Sequence, residues 1–355
     1  MLHAYVAFDW GEEIHLERAR QLVPATVGTL PRRRRTPPSI GYRPPPLRFL
    51  LESLTLELPE LGPFAVRPEA TLFDFAGVSV ALRLAFRTDA ACLTRLAGWF
   101  ADPAPFVQAA RAALTPLHQQ LAPAIQNPLW RDELSEEYVV FQLTPDELPP
   151  PARLLEAHPD WLASLLRLES GPLSKQEVAD ALRMSMSYSP TDLFVPDWAA
   201  AVLVDRDCDE TLQMIEFANL QLLEMRHLDE HLDRSLATAY SLIHKLTLSR
   251  LPILGGHGRR LRSLGELKVV ATDMFERTGN VLKLVGDQYL ARAYARMGER
   301  FHLGQWEQGI RRKLDVIEGV YQVLSDQSAT YRAEVLEIIV VFLIVLEVVL
   351  AFVRP

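Results

Sequence analysis

Three residues near the middle of the chain have the spacing of a zinc-binding motif. His227, Glu230 and His231 spell H-x-x-E-H, the order used by the inverted zinc peptidases. On a helix, residues four apart share one face, so the two histidines can hold a zinc ion beside a carboxylate base. A catalytic zinc also needs a third protein ligand, and the spacing favours none downstream. We therefore assign no catalytic residue, cofactor or metal, and a zinc-dependent hydrolase using these three residues is kept as an alternative.

The same stretch carries charges on another flank of the helix. Glu224 lies one turn before His227, and Arg226, Asp229 and Asp233 follow at spacings of three and four, where helical side chains can pair. An apolar stripe indicates which face meets the core, and its members are Leu228, Leu232, Ala239, Leu242 and Leu246. We name Glu224, Arg226, Asp229 and Asp233 the charged ridge and predict that its role is structural.

The composition limits the class of protein. A chain of 355 residues with 49% hydrophobic and 23% charged residues can bury a substantial core, which excludes a disordered protein. The formal net charge of -8 is not that of a molecule built to wrap nucleic acid. Only Cys92 and Cys208 are present, so a disulfide framework is not expected. The first residues contain no basic region, and we expect neither a secretory signal nor a transit peptide.

One basic loop is an exception to the acidic balance. Prolines and glycines across 28–46 oppose regular structure, and a run of four charges lies within it, formed by Arg32, Arg33, Arg34 and Arg35. The plain interpretation is a solvated loop. The functional interpretation is a patch for anionic lipid or RNA phosphates, which would make the protein an RNA or ribosome adaptor. Nucleic acid is considered as a partner only through this patch.

The chain changes character along its length. Residues 1–206 read as an α+β module with antiparallel strands. Within it, a helix is predicted over 89–122, broken or kinked by its three prolines. A strand pair is predicted from MSMSYS and AAAVLV, joined by PTDLFVPDW.

The C-terminal part is predicted to be helical. One long helix is expected over 210–247 and another over 305–353, within a helical and coiled-coil region at 207–334 and a hydrophobic tail helix at 335–353. A coiled-coil seam with alternating steps of four and three runs through Ile310, Leu314, Ile317, Tyr321, Leu324, Ser328, Tyr331, Val335 and Ile338, and continues through Phe342, Val345, Val349 and Phe352.

The tail at 335–353 is interrupted only by the carboxylates of Glu337 and Glu347. It is long enough to span a bilayer, and it can equally be a helix buried at the centre of an oligomer. Arg332 precedes it and Arg354 follows it. Because more basic residues precede the tail than follow it, the membrane interpretation keeps the N-terminal part in the cytoplasm.

Several segments resemble the required-for-meiotic-nuclear-division family, also known as domain of unknown function 155. They are FANLQLLEMRHLDEHLD at 217–233, LEIIVVFLIVLEVVL at 336–350, LFDFAGVSVAL at 72–82 and DWAAAVLVD at 197–205. The resemblance covers about residues 70–353, and its pattern falls on the charged ridge, Glu337 and Glu347, not on the two histidines. It implies a membrane-associated, oligomeric protein with no established enzymatic activity. Mitochondrial members are implicated in organellar translation.

These observations together predict a non-enzymatic scaffold or assembly protein of bacterial type. We expect it to be tethered to membrane lipid through the C-terminal tail and to form a homo-oligomer. The process that it serves and any further protein partner are not predicted by the sequence.

Overall fold

The computed structural model describes residues 1–23, 40–42, 44–130, 134–248, 282–284 and 287–353, together with 265, 269, 272 and 275. The chain forms two compact units, each made of two separate stretches. The first unit is Met1–His227 with Glu276–Trp306, and the second is Leu228–Phe275 with Glu307–Pro355. The boundaries expected from the sequence, 1–206, 207–334 and 335–353, stay a prediction.

The described elements are a mixture of strands and helices up to residue 204 and are mainly helical afterwards. The strands are β1 Leu2–Asp9, β2 Glu13–Ile14, β3 Ile40–Tyr42, β4 Leu47–Leu50, β5 Leu54–Leu58, β6 Gly62–Val66, β7 Glu69–Leu72, β8 Gly77–Leu84, β9 Ile125–Gln126, β10 Ser135–Leu143, β11 Leu193–Pro196, β12 Ala200–Val204 and β13 Leu282–Leu284. The helices are α1 Leu16–Leu22, α2 Ala90–Phe100, α3 Ala104–Leu121, α4 Pro151–Ala157, α5 Pro159–Arg167, α6 Lys175–Leu182, α7 Asp209–Leu248, α8 Gln288–Arg300 and α9 Leu303–Val353.

A seven-stranded mixed sheet organises the first unit. Its strand order is β11-β12-β10-β1-β8-β7-β4. Strand β1 lies near the centre and pairs antiparallel with both β10 and β8, whereas β10 and β12 are parallel. Every residue of β1 is buried, as expected for a strand covered on both faces. The α+β class with antiparallel strands that the sequence predicts is confirmed.

The two faces of the sheet carry separate cores because side chains alternate along a strand. Leu2, Val6 and Phe8 of β1 belong to the larger core, which includes residues of α2 to α6. Tyr5 belongs to a core that includes α7 and α8, and Ala7 packs with further residues of α7. The first unit therefore has three layers, with helices on both sides of the sheet.

One local prediction is wrong, and a second is confirmed in part. The strand that pairs with β12 is β11, inside the segment predicted to be a connection, and of MSMSYS only Met186 forms a bridge, with Phe194. All four residues of β11 are buried, so its pairing removes more apolar surface from water than pairing of MSMSYS would, where Tyr188 is 77% exposed. The predicted helix over 89–122 does break before Pro103, but α3 continues through Pro116, which is exposed.

An ion network fastens α8 to the rest of the first unit. Asp180 Oδ2 accepts hydrogen bonds from Arg167 Nη2 at 2.7 Å and Arg300 Nη1 at 3.0 Å. Asp197, only 1% exposed, has its carboxylate oxygens 3.3 Å from Arg167 Nε and 3.5 Å from Arg300 Nε, without hydrogen-bond geometry. Burial raises the pKa of Asp197, and the charges of the two guanidinium groups oppose that rise.

Candidate functional site

A buried acid–histidine cluster joins the end of β1 to α7. Its members are Asp9, Glu224 and His227, which are 2%, 4% and 6% exposed. Asp9 is the last residue of β1, and the other two lie three residues apart on α7, so they share one helical face. Three titratable side chains buried together are unusual, because an unpaired charge in the interior is costly.

The three side chains are held by different contacts. Asp9 Oδ1 accepts a hydrogen bond from the backbone N–H of Gly11 at 3.0 Å. Asp9 Oδ2 lies 2.5 Å from His227 Nδ1, which is within ion-pair distance. The geometry between these two atoms is not that of a hydrogen bond. Glu224 Oε1 is buried with no hydrogen-bond partner in the described part of the chain. Burial, followed by the charge of Asp9, raises the pKa of Glu224 well above its ordinary value. The arrangement favours a neutral carboxylic acid beside an acid–histidine pair.

Space for the cluster depends on Gly77, the residue opposite Asp9 in the β1–β8 register. A Cβ atom at Gly77 would lie 2.5 Å from Phe75 Cε2 and 3.0 Å from Glu224 Oε1. Both distances are shorter than ordinary contact, so the strand needs a residue without a side chain at this position.

We expect Gly77→Ala to lower the free energy of unfolding by about 1–3 kcal/mol, because the added methyl group overpacks the cluster. Chemical denaturation measures the change. Gly304→Ala is the matched control, since nothing lies within 4 Å of its Cβ position, and it should not destabilise the protein. Equal stabilities of the two variants would contradict the close packing described for Gly77.

The residues of the H-x-x-E-H motif have separate environments. His227 is directed to Asp9, a residue that the motif does not include. Glu230 is exposed, and its carboxylate lies 3.9 Å from Arg234. The carbonyl oxygen of His231 accepts a hydrogen bond from Ser235 Oγ. Across the residues that the structure describes, no group of three or more histidine, cysteine, aspartate or glutamate side chains is placed to hold a metal ion.

The sheet face toward α7 carries further polar residues at alternate positions. Glu69 accepts from Arg48 Nη1 at 3.2 Å and from Arg83 Nη1 at 3.0 Å. Beside this pair of contacts, the buried hydroxyls of Thr71 and Ser79 have no partner among the described groups. The layer between the sheet and α7 is thus more polar than the larger core on the other side of the sheet. The sequence did not predict this difference, because it depends on which strand positions face α7.

The charged ridge is divided among different partners. Glu224 belongs to the acid–histidine cluster, and Arg226 pairs with Glu136 of β10. In the second unit, Lys313 Nζ lies 2.6 Å from the carboxylates of both Asp229 and Asp233. Burial alone would lower the pKa of Lys313, but the hydrogen bonds that Lys313 donates to the two aspartates, together with their charges, outweigh burial and raise that pKa. The ridge residues therefore connect α7 to other elements instead of pairing along one helix.

The second unit also exposes an apolar stretch of α9, which we name the apolar tail surface. It consists of Leu336, Ile339, Val340, Val341, Phe342, Leu343, Ile344, Val345 and Leu346, each at least 44% exposed. Glu337 and Glu347 are exposed beside it. Among the residues that the structure describes, no helix has the length and apolar character that a membrane crossing requires. The patch Arg32–Arg35 lies outside the described residues.

Comparison with known proteins gives a family of unknown function. Residues 1–210 match the family described as "Uncharacterized protein MJ0711, N-terminal domain". The uncharacterized protein MJ0711 of Methanocaldococcus jannaschii is 25% identical over 226 residues, which cover 63% of this chain and 68% of that protein. No solved structure matches significantly. These matches support membership in a family of unknown function and do not support the assignment to the required-for-meiotic-nuclear-division family.

Proposed function

The chain belongs to the family of the MJ0711 N-terminal domain, and we propose that it acts as a non-enzymatic, membrane-tethered and oligomeric scaffold. The apolar tail surface on α9 carries this proposal. An exposed apolar patch of this extent marks a surface that lipid or another protein covers. The first 210 residues, which define the family, would then be displayed in the cytoplasm by a C-terminal anchor.

Lipid is the occupant that the shape of the surface favours. Residues 339–346 are exposed without interruption, and eight residues make more than two helical turns of about 3.6 residues each. The apolar surface therefore surrounds the helix, whereas a two-stranded coiled coil would cover only one seam. A bilayer covers every side of such a helix at once.

The sequence of the tail supports insertion energetically. Residues 335–353 contain sixteen leucine, isoleucine, phenylalanine or valine residues and two glutamates. On insertion scales each apolar residue contributes about 0.3–0.6 kcal/mol, and each central charge costs about 3 kcal/mol. The apolar total of roughly 5–10 kcal/mol compares with a cost of about 6 kcal/mol for two central carboxylates. The balance favours insertion when Glu337 lies near the interface, because one charge then costs less.

Self-association is the second part of the proposal. Ile310 and Ile317 of the seam are 0% exposed, so the first part of the seam is already covered. Phe342 and Val345 continue the same steps and are 65% and 54% exposed. A second copy can pack on this continuation of the seam. The resemblance to the required-for-meiotic-nuclear-division family supports the same interpretation, since its members look like membrane-associated oligomers.

Vesicle flotation of the full chain tests the tether. We expect the protein to float with phosphatidylcholine vesicles, and Val341→Asp with Val345→Asp to lower the bound fraction more than tenfold, because each charge costs about 3 kcal/mol in the bilayer. The matched control is Val316→Asp with Val323→Asp on the same helix, where both valines are exposed but lie before the tail.

Two outcomes would contradict the tether: a full chain that stays in the bottom fraction, or equal flotation of the two double variants. Far-UV circular dichroism verifies that both variants remain helical. Sedimentation of the wild-type chain in mild detergent tests the oligomer separately, and a monomeric mass would remove that part of the proposal.

A further inference from the structure

The first unit contains a cleft that no part of the proposed scaffold role uses. Residues of the paired strands β1 and β10 line one part of it, and the turn joining α2 to α3 lines another. Its volume is 170 Å³. Its lining includes Phe100, Phe106, Glu137, Val139, Leu168 and Trp198. The cleft forms where β10 extends beyond its pairing with β12, which begins at Val139.

The cleft combines apolar walls with one carboxylate. Phe100 and Phe106 form an aromatic pair with centroids 5.4 Å apart, and Trp198, which also lines the cleft, is 49% exposed. Glu137 is half-buried, and its carboxylate contacts the hydroxyl of Ser135. In the described ranges of the chain, Glu137 forms no ion pair with a lysine or arginine.

The charged groups near the cleft contact residues other than Glu137. Glu136, also at the cleft, pairs with Arg226 of α7. Arg111 of α3 lies over the rings of Phe8 and Trp130, at 5.3 Å and 5.2 Å from their centroids. Glu137 thus gives the cleft a negative charge that another molecule can neutralise.

We propose that this cleft binds a small aliphatic ammonium ion. Glu137 would accept a charge-assisted hydrogen bond from the ammonium group, while the apolar walls cover the hydrocarbon chain. One water molecule occupies about 30 Å³ in the liquid, so the cleft has room for about five or six non-hydrogen atoms, the size of butylammonium.

Calorimetric titration of the full-length protein with butylammonium chloride tests the site. We expect saturable binding with a dissociation constant on the order of 1 mM, as for a ligand of five non-hydrogen atoms. Glu137→Gln should weaken binding at least about tenfold, because a charged hydrogen bond is lost. Glu156→Gln, at an exposed glutamate of α4 outside the cleft, is the matched control and should bind like wild type.

Butanol is the neutral ligand of equal size and should bind at least about tenfold more weakly than butylammonium. The Trp198 indole N–H signal, assigned with Trp198→Phe, should shift on binding in nuclear magnetic resonance spectra. Absence of saturable binding, equal affinity in Glu137→Gln, or equal affinity for butanol would overturn the proposal. Tighter binding of N-acetyl-lysine-N-methylamide than of butylammonium would overturn the assignment to a free amine. Thermal unfolding of Glu137→Gln confirms that any loss of binding is not a loss of fold.

Discussion

Replacing Arg300 with alanine is expected to lower the free energy of unfolding by about 3–5 kcal/mol, because it breaks a buried ion pair on one side. Arg300 is 9% exposed and contacts Asp180 and Asp197. Without Arg300, Asp197, which is 1% exposed, keeps Arg167 as its ion-pair partner among the described residues. Urea denaturation followed by circular dichroism measures the loss.

Arg296→Ala provides the matched control on the same helix, one turn earlier. The side chain of Arg296 is 48% exposed and lies 3.6 Å from that of Glu299, an exposed pair of the kind that contributes about 1 kcal/mol or less. A similar loss in both variants would show that α8 depends on arginine side chains in general. In that case the ion network around Asp197 would not be the cause.

Replacing Glu224 with glutamine is expected to remove a loss of stability that the wild-type protein suffers as pH rises. The pKa of Glu224 is raised by burial and by Asp9 above its ordinary value of 4.5, so the folded protein favours the neutral acid. As pH rises, Glu224 loses its proton in the unfolded chain before it does so in the folded protein. The stability contributed by the neutral acid is therefore fully present below about pH 4.5 and declines as pH rises toward the folded pKa. Glutamine mimics the neutral acid and cannot ionise.

Unfolding free energies measured from pH 4 to pH 8 should therefore show a difference between Glu224→Gln and wild type that grows with pH in favour of the variant. The acid–histidine pair of Asp9 and His227 is present in both proteins, so comparing the two isolates Glu224. Glu230→Gln is the control, because this glutamate has a 60% exposed side chain on the same helix. A constant difference across the pH range would mean that Glu224 is ionised in the fold.

The long helices were predictable because their evidence is local. The apolar periodicity predicted helices over 210–247 and 305–353, and the structure has α7 at Asp209–Leu248 and α9 at Leu303–Val353. Capping residues and repeated spacing act within a few residues of the chain, which is the range that sequence patterns report. The strand β11 was missed because its burial depends on pairing with β12.

The candidate site was only half predictable. The spacing of His227, Glu230 and His231 singled out this stretch of the sequence. The residue that contacts His227, however, is Asp9, more than 200 residues earlier in the chain. One signal was present: Asp9 ends an apolar strand, where an acid without a partner would be costly. That signal says that a partner is needed and cannot say which residue supplies it.

The sequence by itself determined the α+β class, the two long helices and the apolar character of residues 335–353, since these follow from composition and short-range periodicity. Tertiary structure alone decided that His227 faces Asp9, that Gly77 makes room for Glu224, and that Lys313 joins Asp229 to Asp233. Each of these contacts joins residues far apart in the chain. Their distance and burial depend on strand register and helix packing, which residue spacing does not encode.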